Sequence, residues 1–532
     1  MDSNTAQIES HKTPSPAWFR FLTPSTTDLI FITLLVAISG GALSTRLLGD
    51  ASIGWHIRNG EQMLRTHAVT RTDPFSVTMG GQTWYAWEWL YDVVIARIHQ
   101  VVGLNGVVFF SAVIIALTFS LTLRLCLRRG ADLPVTALLL ALSLGASMIH
   151  LFARPHVLSW LFTVIWFQVL DSSENGEGRR RLWYLPALML LWANVHGGFV
   201  VGFVLLGLYL LSDTILYYRC RNTEERGSLV ARLRALGIVA GLSLLASLIN
   251  PYGYELHVHV YRYLSSRWLM NHIDEFLSPD FHGVAQQCFV AILLITIVAL
   301  AISRTKPSLT RVFVMLFATY SGLYASRSLP VSSLLLTLIV APLWTQALAD
   351  ARDNSRLSLR LRSFLSRWQS MTARIRDVEL GFRGHLWPMA AVLIGLLACM
   401  HQGKIGSQQW MNARFDPGHL PVQATEVLVQ RGVRDPIFSQ DSWGGYLIYC
   451  LYPRNRVFVD DRHDLYGEEF LKEYLKSIRL APEWEKFLSE KHVNWALLPA
   501  KSSLANMLEE TSKWNLVYRD GTSVLLERKD KI

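Results

Sequence analysis

Residues 107–125 read VVFFSAVIIALTFSLTLRL, with no charge before Arg124. Wound as a helix rising 1.5 Å per residue, such a stretch covers roughly 28 Å, close to the ~30 Å hydrocarbon core of a bilayer. Similar runs recur on either side of it, at 30–47, 135–151, 157–170, 182–195, 199–217, 236–248, 289–302, 312–325, 331–348 and 386–400, making eleven candidate spans. The two runs flanking His196 can also be read as one broken or re-entrant element. The chain has 532 residues, of which 51% are apolar and 17% charged, whereas a soluble domain carries about 25% charged residues. That excludes an ordinary cytosolic enzyme, a nucleic-acid-binding domain and a disordered tail protein. The expected fold is a polytopic α-helical membrane protein of about eleven transmembrane helices.

The net charge of +10 needs no polyanionic partner, because membrane proteins gather Lys and Arg in cytoplasmic loops. If the N-terminus is cytoplasmic, the same side receives Arg124, Arg128 and Arg129, then Arg179 to Arg181, then Arg219 to Arg234, then Arg304 and Arg311. It also receives 352–383, with eight arginines. The opposite loops are sparse in basic residues. The expected layout is a cytoplasmic segment 1–27, a membrane domain 28–401 and an outward tail 402–532, periplasmic if the host is the bacterial inner membrane. The first apolar run reads as a retained signal anchor, with no small-residue cleavage site before it. The five cysteines, at 126, 220, 288, 399 and 450, show no zinc or disulfide spacing.

Two outward loops, 44–103 and 250–287, are too long for connectors and too aromatic for disorder. They are expected to lie along the membrane surface and roof a cavity. The basic segment 352–383 interleaves Leu, Phe and Trp with its arginines, which suits either an amphipathic helix on anionic lipid or a loop that only fixes topology. The tail alternates helix-like and strand-like stretches and closes on a hairpin around Asp520-Gly521. It reads as a small α/β domain.

Asp50 is the first acid after the first span. A carboxylate held at the membrane surface can act as general base on a hydroxyl; it can equally be a loop acid paired with Arg46 or Arg58. Glu88, among Trp84, Trp87 and Trp89, is either a second catalytic acid or a solvated residue on an interface helix.

The pattern Asp50…Gly54-Trp55-His56…Gly60-Glu61, then Asp73-Pro74-Phe75-Ser76, then Trp87-Glu88-Trp89-Leu90 resembles large bacterial membrane proteins of the GT-C glycosyltransferase superfamily. The resemblance covers the whole chain in architecture and only short stretches in motif. It implies transfer of a sugar, with inversion, from a polyprenyl-phosphate carrier to a glycan, lipid or protein acceptor outside the membrane, with Asp50 matching the essential acid of the first loop. Many members carry two acids close together there; here Ser52 and Gly54 follow Asp50. A divalent cation is therefore left open, and no metal ligand is assigned.

Other outward polar residues suit substrate and carrier phosphate: His56 and Arg58, Arg154 and His156, Asn194 and His196, Arg262, and Arg327. Arginine fits phosphate because its fork donates parallel charged hydrogen bonds. Snorkelling explains Arg154 or Arg327 equally well, and helix capping explains Asn194. In the tail, Asp460, Asp461 and Asp464 follow a strand and could grip an acceptor's hydroxyls, or pair internally with Arg462 and His463. A transporter or flippase of a lipid-linked glycan would want charges deep in several spans and an internal repeat. A non-enzymatic envelope scaffold is a third reading.

Overall fold

The computed structural model describes residues 17–174, 178–382 and 385–530. Residues 1–16 of the expected cytoplasmic segment, and Arg383 of the basic segment, lie outside the described residues. All eleven expected spans fall on helices. Among the described residues seven helices are long and apolar enough to cross a membrane, from Arg20–Ser39 to Ser326–Arg352, or up to eight if Leu359–Gly381 and Leu386–Met400 form one span. The remaining expected spans are shorter or more polar. Leu185–Val195 has 11 residues, Leu309–Tyr324 has 16 and Leu386–Met400 has 15, while His156–Ser173 ends on Asp171-Ser172-Ser173.

Helix Val284–Ile302 shows the membrane logic. It is apolar all round, yet only Ala285, Phe289, Ile292, Thr296 and Ala299 are buried, while Leu294 and Ile297 are 58% and 62% exposed. A helix with a packed stripe and an apolar outer face needs lipid as its solvent. Prolines at the first turn open the helices at Leu133, Leu185 and Leu329, where the missing N–H costs nothing. The 40-residue run Trp89–Arg128 is broken at Gly103, whose φ of 65° lies in the left-handed region that favours glycine. Its first part is the expected aromatic surface helix; its second is the apolar stretch 107–125.

The tail holds a four-stranded sheet. Strand Ile437–Ser439 pairs in parallel with Trp495–Pro499, which pairs antiparallel with Ser523–Arg528, which in turn pairs with Trp514–Arg519. The Asp520 carboxylate accepts from the backbone of Thr522 and Ser523 and closes the expected hairpin. Helix Ser503–Glu510 is an addition that the sequence pattern did not predict. The strand expected just before Asp460 survives only as a bridge: Val457 pairs with Ile437 on one side and with Ser76 of the first long loop on the other. Loop and tail are packed together. Helix Ser52–Thr66 crosses helix Asp441–Leu451 so closely that a Cβ on Gly54 would lie 2.2 Å from the Gly445 carbonyl oxygen.

Candidate active site

Asp50 lies between the short helix Gly41–Arg46 and helix Ser52–Thr66. One carboxylate oxygen accepts from the Ser52 backbone N–H at 2.9 Å, and the other accepts from Arg154 Nη1 at 2.8 Å. Arg154 is held in place by its own turn. The Ala153 N–H donates to the Leu47 carbonyl at 2.8 Å, and Tyr91 Oη donates to the Ala153 carbonyl at 2.9 Å. Burial pushes the Asp50 carboxyl up, but the Arg154 guanidinium and the Ser52 hydrogen bonds outweigh it and hold it below its ordinary value. Asp50 is thus an ionised carboxylate.

Behind this pair lies Glu275, 3.9 Å from Arg154 and 2.8 Å from Arg327 Nη1. Burial works against its charge, but the two guanidiniums prevail and bring its pKa down to about 2. Glu88 stands across the space between two imidazoles, 3.7 Å from His56 Nε2 and 3.6 Å from His196 Nε2. With no guanidinium at salt-bridge distance, its carboxyl is pushed by burial up to about 7. The two rings are oriented from behind. His56 Nδ1 meets Asp92 Oδ1 at 2.6 Å, and Asn59 donates to the other Asp92 oxygen at 2.6 Å. The Gly198 backbone N–H donates to His196 Nδ1 at 3.0 Å, and Arg327 Nη2 lies 3.3 Å from His196 Nε2 on the other side of the ring. Burial keeps His56 neutral, with a pKa pushed down to about 3.

Two cavities share a wall made of Trp87, Glu88, Arg154, Tyr263, Glu275 and Arg327. The first, about 300 Å³, adds Asp50, Trp55 and Trp84 from the first loop and Asp461, His463 and Asp464 from the tail. The second, about 280 Å³, adds His150, His156 and His196 to an apolar lining that includes Trp160, Val200, Leu264 and Phe317. Asp461 accepts from Trp55 Nε1 at 3.0 Å. Burial, with the Asp50 charge adding to it, pushes the Asp461 carboxyl up to about 7. A carboxylate kept ionised and a carboxyl that still holds its proton about half the time at pH 7 therefore face one chamber, an arrangement that sets a base beside a hydrogen-bond donor.

Asp50, Glu88, Arg154, His156, His196, Arg327, Asp461 and Asp464 are brought together on these walls. His56 stands behind Glu88. Besides His56, four residues singled out in the sequence are not on the walls. Arg262 is exposed on helix Glu255–Ser265. Arg58 is turned to Glu61 and the Tyr449 carbonyl, each at 2.8 Å. Asn194 accepts from Trp89 Nε1 and donates to the carbonyls of Leu190 and Ile249, each at 2.8 Å, so it ties helices together. Asp460 is fully buried. Both of its oxygens are taken by the Arg462 guanidinium, and the Arg462 backbone N–H and Tyr466 Oη add a third and a fourth bond. Arg462 also holds Asp73 of the first loop at 2.8 Å, so Asp460 belongs to a clasp between loop and tail. Of the wall residues, sequence reasoning passed over Tyr263, and it noted Glu275 only as one polar residue of the second long loop and His463 only as an internal partner for the tail's acids. The one available signal for Glu275 was an acid in a long loop that also contains arginine.

Among the described residues no group of three or more His, Cys, Asp or Glu side chains is placed to hold a metal ion, so the divalent cation left open by the sequence gains no ligand set here.

No family model matches the chain, and no curated protein does. Among solved structures, the oligosaccharyltransferase of Archaeoglobus fulgidus, tethered to an acceptor peptide containing the NVT sequon, is similar with a TM-score of 0.51 at 11% identity, over 91% of this chain and 70% of that one. The chain shares that fold. The oligosaccharyltransferase AglB of the same organism, in complex with an inhibitory peptide and a dolichol-phosphate, matches with a TM-score of 0.50 at 12% identity, over 96% of this chain and 75% of that one. ArnT from Cupriavidus metallidurans, bound to undecaprenyl phosphate, has a TM-score of 0.48 at 14% identity, over 94% and 97% of the two chains. At these identities the likeness is one of fold, and it agrees with the fold implied by the resemblance in the first loop.

Proposed function

We propose that the chain is a membrane glycosyltransferase that moves a sugar from a polyprenyl-phosphate carrier to an extracytoplasmic acceptor. The observation that carries this reading is the shared wall. It sets two guanidiniums and a neighbouring carboxylate base between a polar chamber and an apolar one. Such a junction suits a lipid whose phosphate sits at the boundary, with its chain running among Trp160, Leu264 and Phe317. Arg154 Nε is buried without a hydrogen-bond partner, a donor free for a phosphate oxygen. The likeness to an oligosaccharyltransferase solved with dolichol-phosphate and peptide is consistent with this class of donor.

In the mechanism, Asp50 removes the proton of an acceptor hydroxyl in the polar chamber as its oxygen attacks the anomeric carbon. The bond from that carbon to the carrier oxygen breaks, and the electron pair leaves with the phosphate. Arg154 and Arg327 stabilise that charge as it develops. In-line displacement inverts the anomeric centre. Asp461 and Asp464 grip hydroxyls of the acceptor, and Glu88 orients the donor sugar. The reading puts residues 28–401 in a bacterial inner membrane, with the N-terminus cytoplasmic and residues 402–532 periplasmic.

The test is donor turnover. The full chain in proteoliposomes is supplied with a panel of polyprenyl-phosphate sugars and envelope-derived acceptors, and release of polyprenyl phosphate is followed. Acceptor-dependent release that disappears in Arg154→Gln/Arg327→Gln supports the assignment. Retention of full turnover in that double variant sinks the phosphate site, and absence of release with any donor argues against the class.

A further inference from the structure

The basic segment noted in the sequence forms helix Leu359–Gly381, and the mechanism above makes no use of it. It packs against helices Ser326–Arg352, Trp89–Arg128 and Leu133–Ser147. Its packed face is narrow: Leu365, Thr372 and Glu379, spaced by seven. Three bonds fix the helix about its own axis. The Glu379 carboxylate accepts from the backbone N–H groups of Thr26 and Thr27, at 2.8 and 3.0 Å, capping the first long helix. Arg376 Nη1 donates to the Gly130 carbonyl at 2.7 Å. Gly130 follows the end of helix Trp89–Arg128 opposite Glu88, so this surface lies at the pole away from the cavities.

About a quarter-turn round the helix from the packed face runs a second apolar stripe, Leu361, Phe364, Met371, Ile375 and Val378. All five are exposed, Phe364 and Val378 by 58% and 59%. Along the far edge of this stripe stand Arg360, Arg367 and Arg374, also spaced by seven and all exposed. Beyond them the face is Ser363, Ser366, Ser370 and Asp377, exposed as well. Four faces thus follow one another round the helix: protein, apolar, cationic, polar. A helix in water has no use for the second, and one inside hydrocarbon has none for the fourth. Lying flat in the interface satisfies both.

We propose that helix Leu359–Gly381 lies in the membrane interface, its apolar stripe among acyl chains, and that Arg360, Arg367 and Arg374 bind the headgroups of anionic phospholipid. The charge row selects the occupant. Within the helix five arginines face two acids, and one of those acids, Glu379, is already spent on the helix cap. The free row is purely cationic and follows the edge of the surface that would enter the lipid.

The test uses the full chain in proteoliposomes. Nitroxides placed in turn at Leu361, Phe364, Met371 and Ile375 should collide with oxygen more than with a water-soluble nickel reagent, and those at Ser363 and Ser370 the reverse. A stripe open to nickel overturns the interfacial placement. A stripe shielded from both reagents means that a second copy covers it, which overturns the lipid assignment. Chain-labelled phosphatidylglycerol and phosphatidylcholine then report headgroup preference through the motionally restricted fraction. Each arginine at an anionic surface is worth roughly fivefold in affinity. Averaged over all lipid positions round the protein, the preference for phosphatidylglycerol should fall by about twofold in Arg360→Gln/Arg367→Gln/Arg374→Gln. An unchanged preference refutes the headgroup role. If the triple variant fails to fold, the wild type decides: a preference that fades with rising ionic strength supports the charge row, and an insensitive one overturns it.

Discussion

Two buried charge clusters occupy opposite ends of the helix bundle, and they differ in one respect. At the end near residue 130, Asp171 takes Arg129 and Arg311, each at 3.2 Å. Asp213 is held by Arg232, and Thr310 bonds Ser212 at 2.9 Å. None of these residues lines either of the two cavities. At the other end Asp50, Glu88, Glu275, Asp461, Arg154 and Arg327 are just as charged, but they surround open space. Buried polar atoms without a hydrogen-bond partner occur at both ends, Arg154 Nε and His56 Nε2 here and Tyr209 Oη and Asp132 Oδ2 at the other, so the open space is what sets this cluster apart. A closed network fastens helices. An open one holds polar groups ready for something that is not part of the chain, at a cost in stability.

The largest expected effect belongs to the open cluster. Asp50→Asn keeps the size and the bond to Arg154 but removes the basic site. General-base assistance is typically worth ~100- to 10,000-fold, so polyprenyl phosphate release should fall by at least the lower figure, with the thermal midpoint little changed. A purified Asp50→Asn protein that transfers normally would place the chemistry elsewhere. In the closed cluster the outcome should be inverted. Arg232→Ala leaves Asp213 buried and unpaired, a loss of about 3–5 kcal/mol in comparable sites, while turnover per folded molecule is unchanged. If Arg232→Ala instead cut turnover without touching stability, the distinction between the two ends would collapse.

Proton linkage gives the next, smaller contrast. In an unfolded chain Glu88 would ionise near 4.5 and Asp461 near 3.8; folded, each is pushed up to about 7. Below about pH 4 both states hold these protons and nothing is lost. As pH rises to 7 the unfolded chain gives them up while the folded one keeps them, so stability falls across that window and levels off above it. Glu275, brought down to about 2, acts the other way, adding stability above about pH 4.5 that is lost on acidification. Glu88→Gln and Asp461→Asn should therefore gain stability relative to wild type as pH rises from about 5 to about 7.5, by on the order of 3 kcal/mol for Glu88, read as a rising difference in thermal midpoint. Curves that stay parallel to wild type across the window would mean that these carboxyls ionise freely in the folded protein.

The same comparison shows what the sequence could disclose. The apolar runs were legible because a bilayer demands length and apolarity locally, within one helix. Asp50 was legible because it is the first acid after a span, and Arg154 and Arg327 because each stands at a helix boundary. Glu275 was not, since its partner Arg327 lies 52 residues away and nothing in the loop pattern links them. Asp460 and Asp461 are the sharpest case. They are neighbours of the same type, yet one is locked to Arg462 and the other reaches Trp55, 406 residues away, at the cavity wall. Which way each side chain points depends on where the first loop docks on the tail, a long-range fact with no local signature.

Arg262 brings the comparison to its smallest expected effect. Its sequence context matched that of Arg154 and Arg327: an arginine in an outward segment, available to a phosphate. What separates it is position on helix Glu255–Ser265. Leu256 and Val260 face inward, and Tyr263, one residue further on, lines both cavities, whereas Arg262 itself points to the outside and is exposed. An exposed cation interacts across high dielectric and is screened by salt. Arg262→Ala should therefore leave turnover within about twofold and stability within about 0.5 kcal/mol. The measurement that matters is the ratio to Arg327→Ala, assayed with the same donor. A loss in Arg262→Ala as large as that in Arg327→Ala would mean that helix Glu255–Ser265 turns when the carrier binds and brings a third guanidinium to the phosphate.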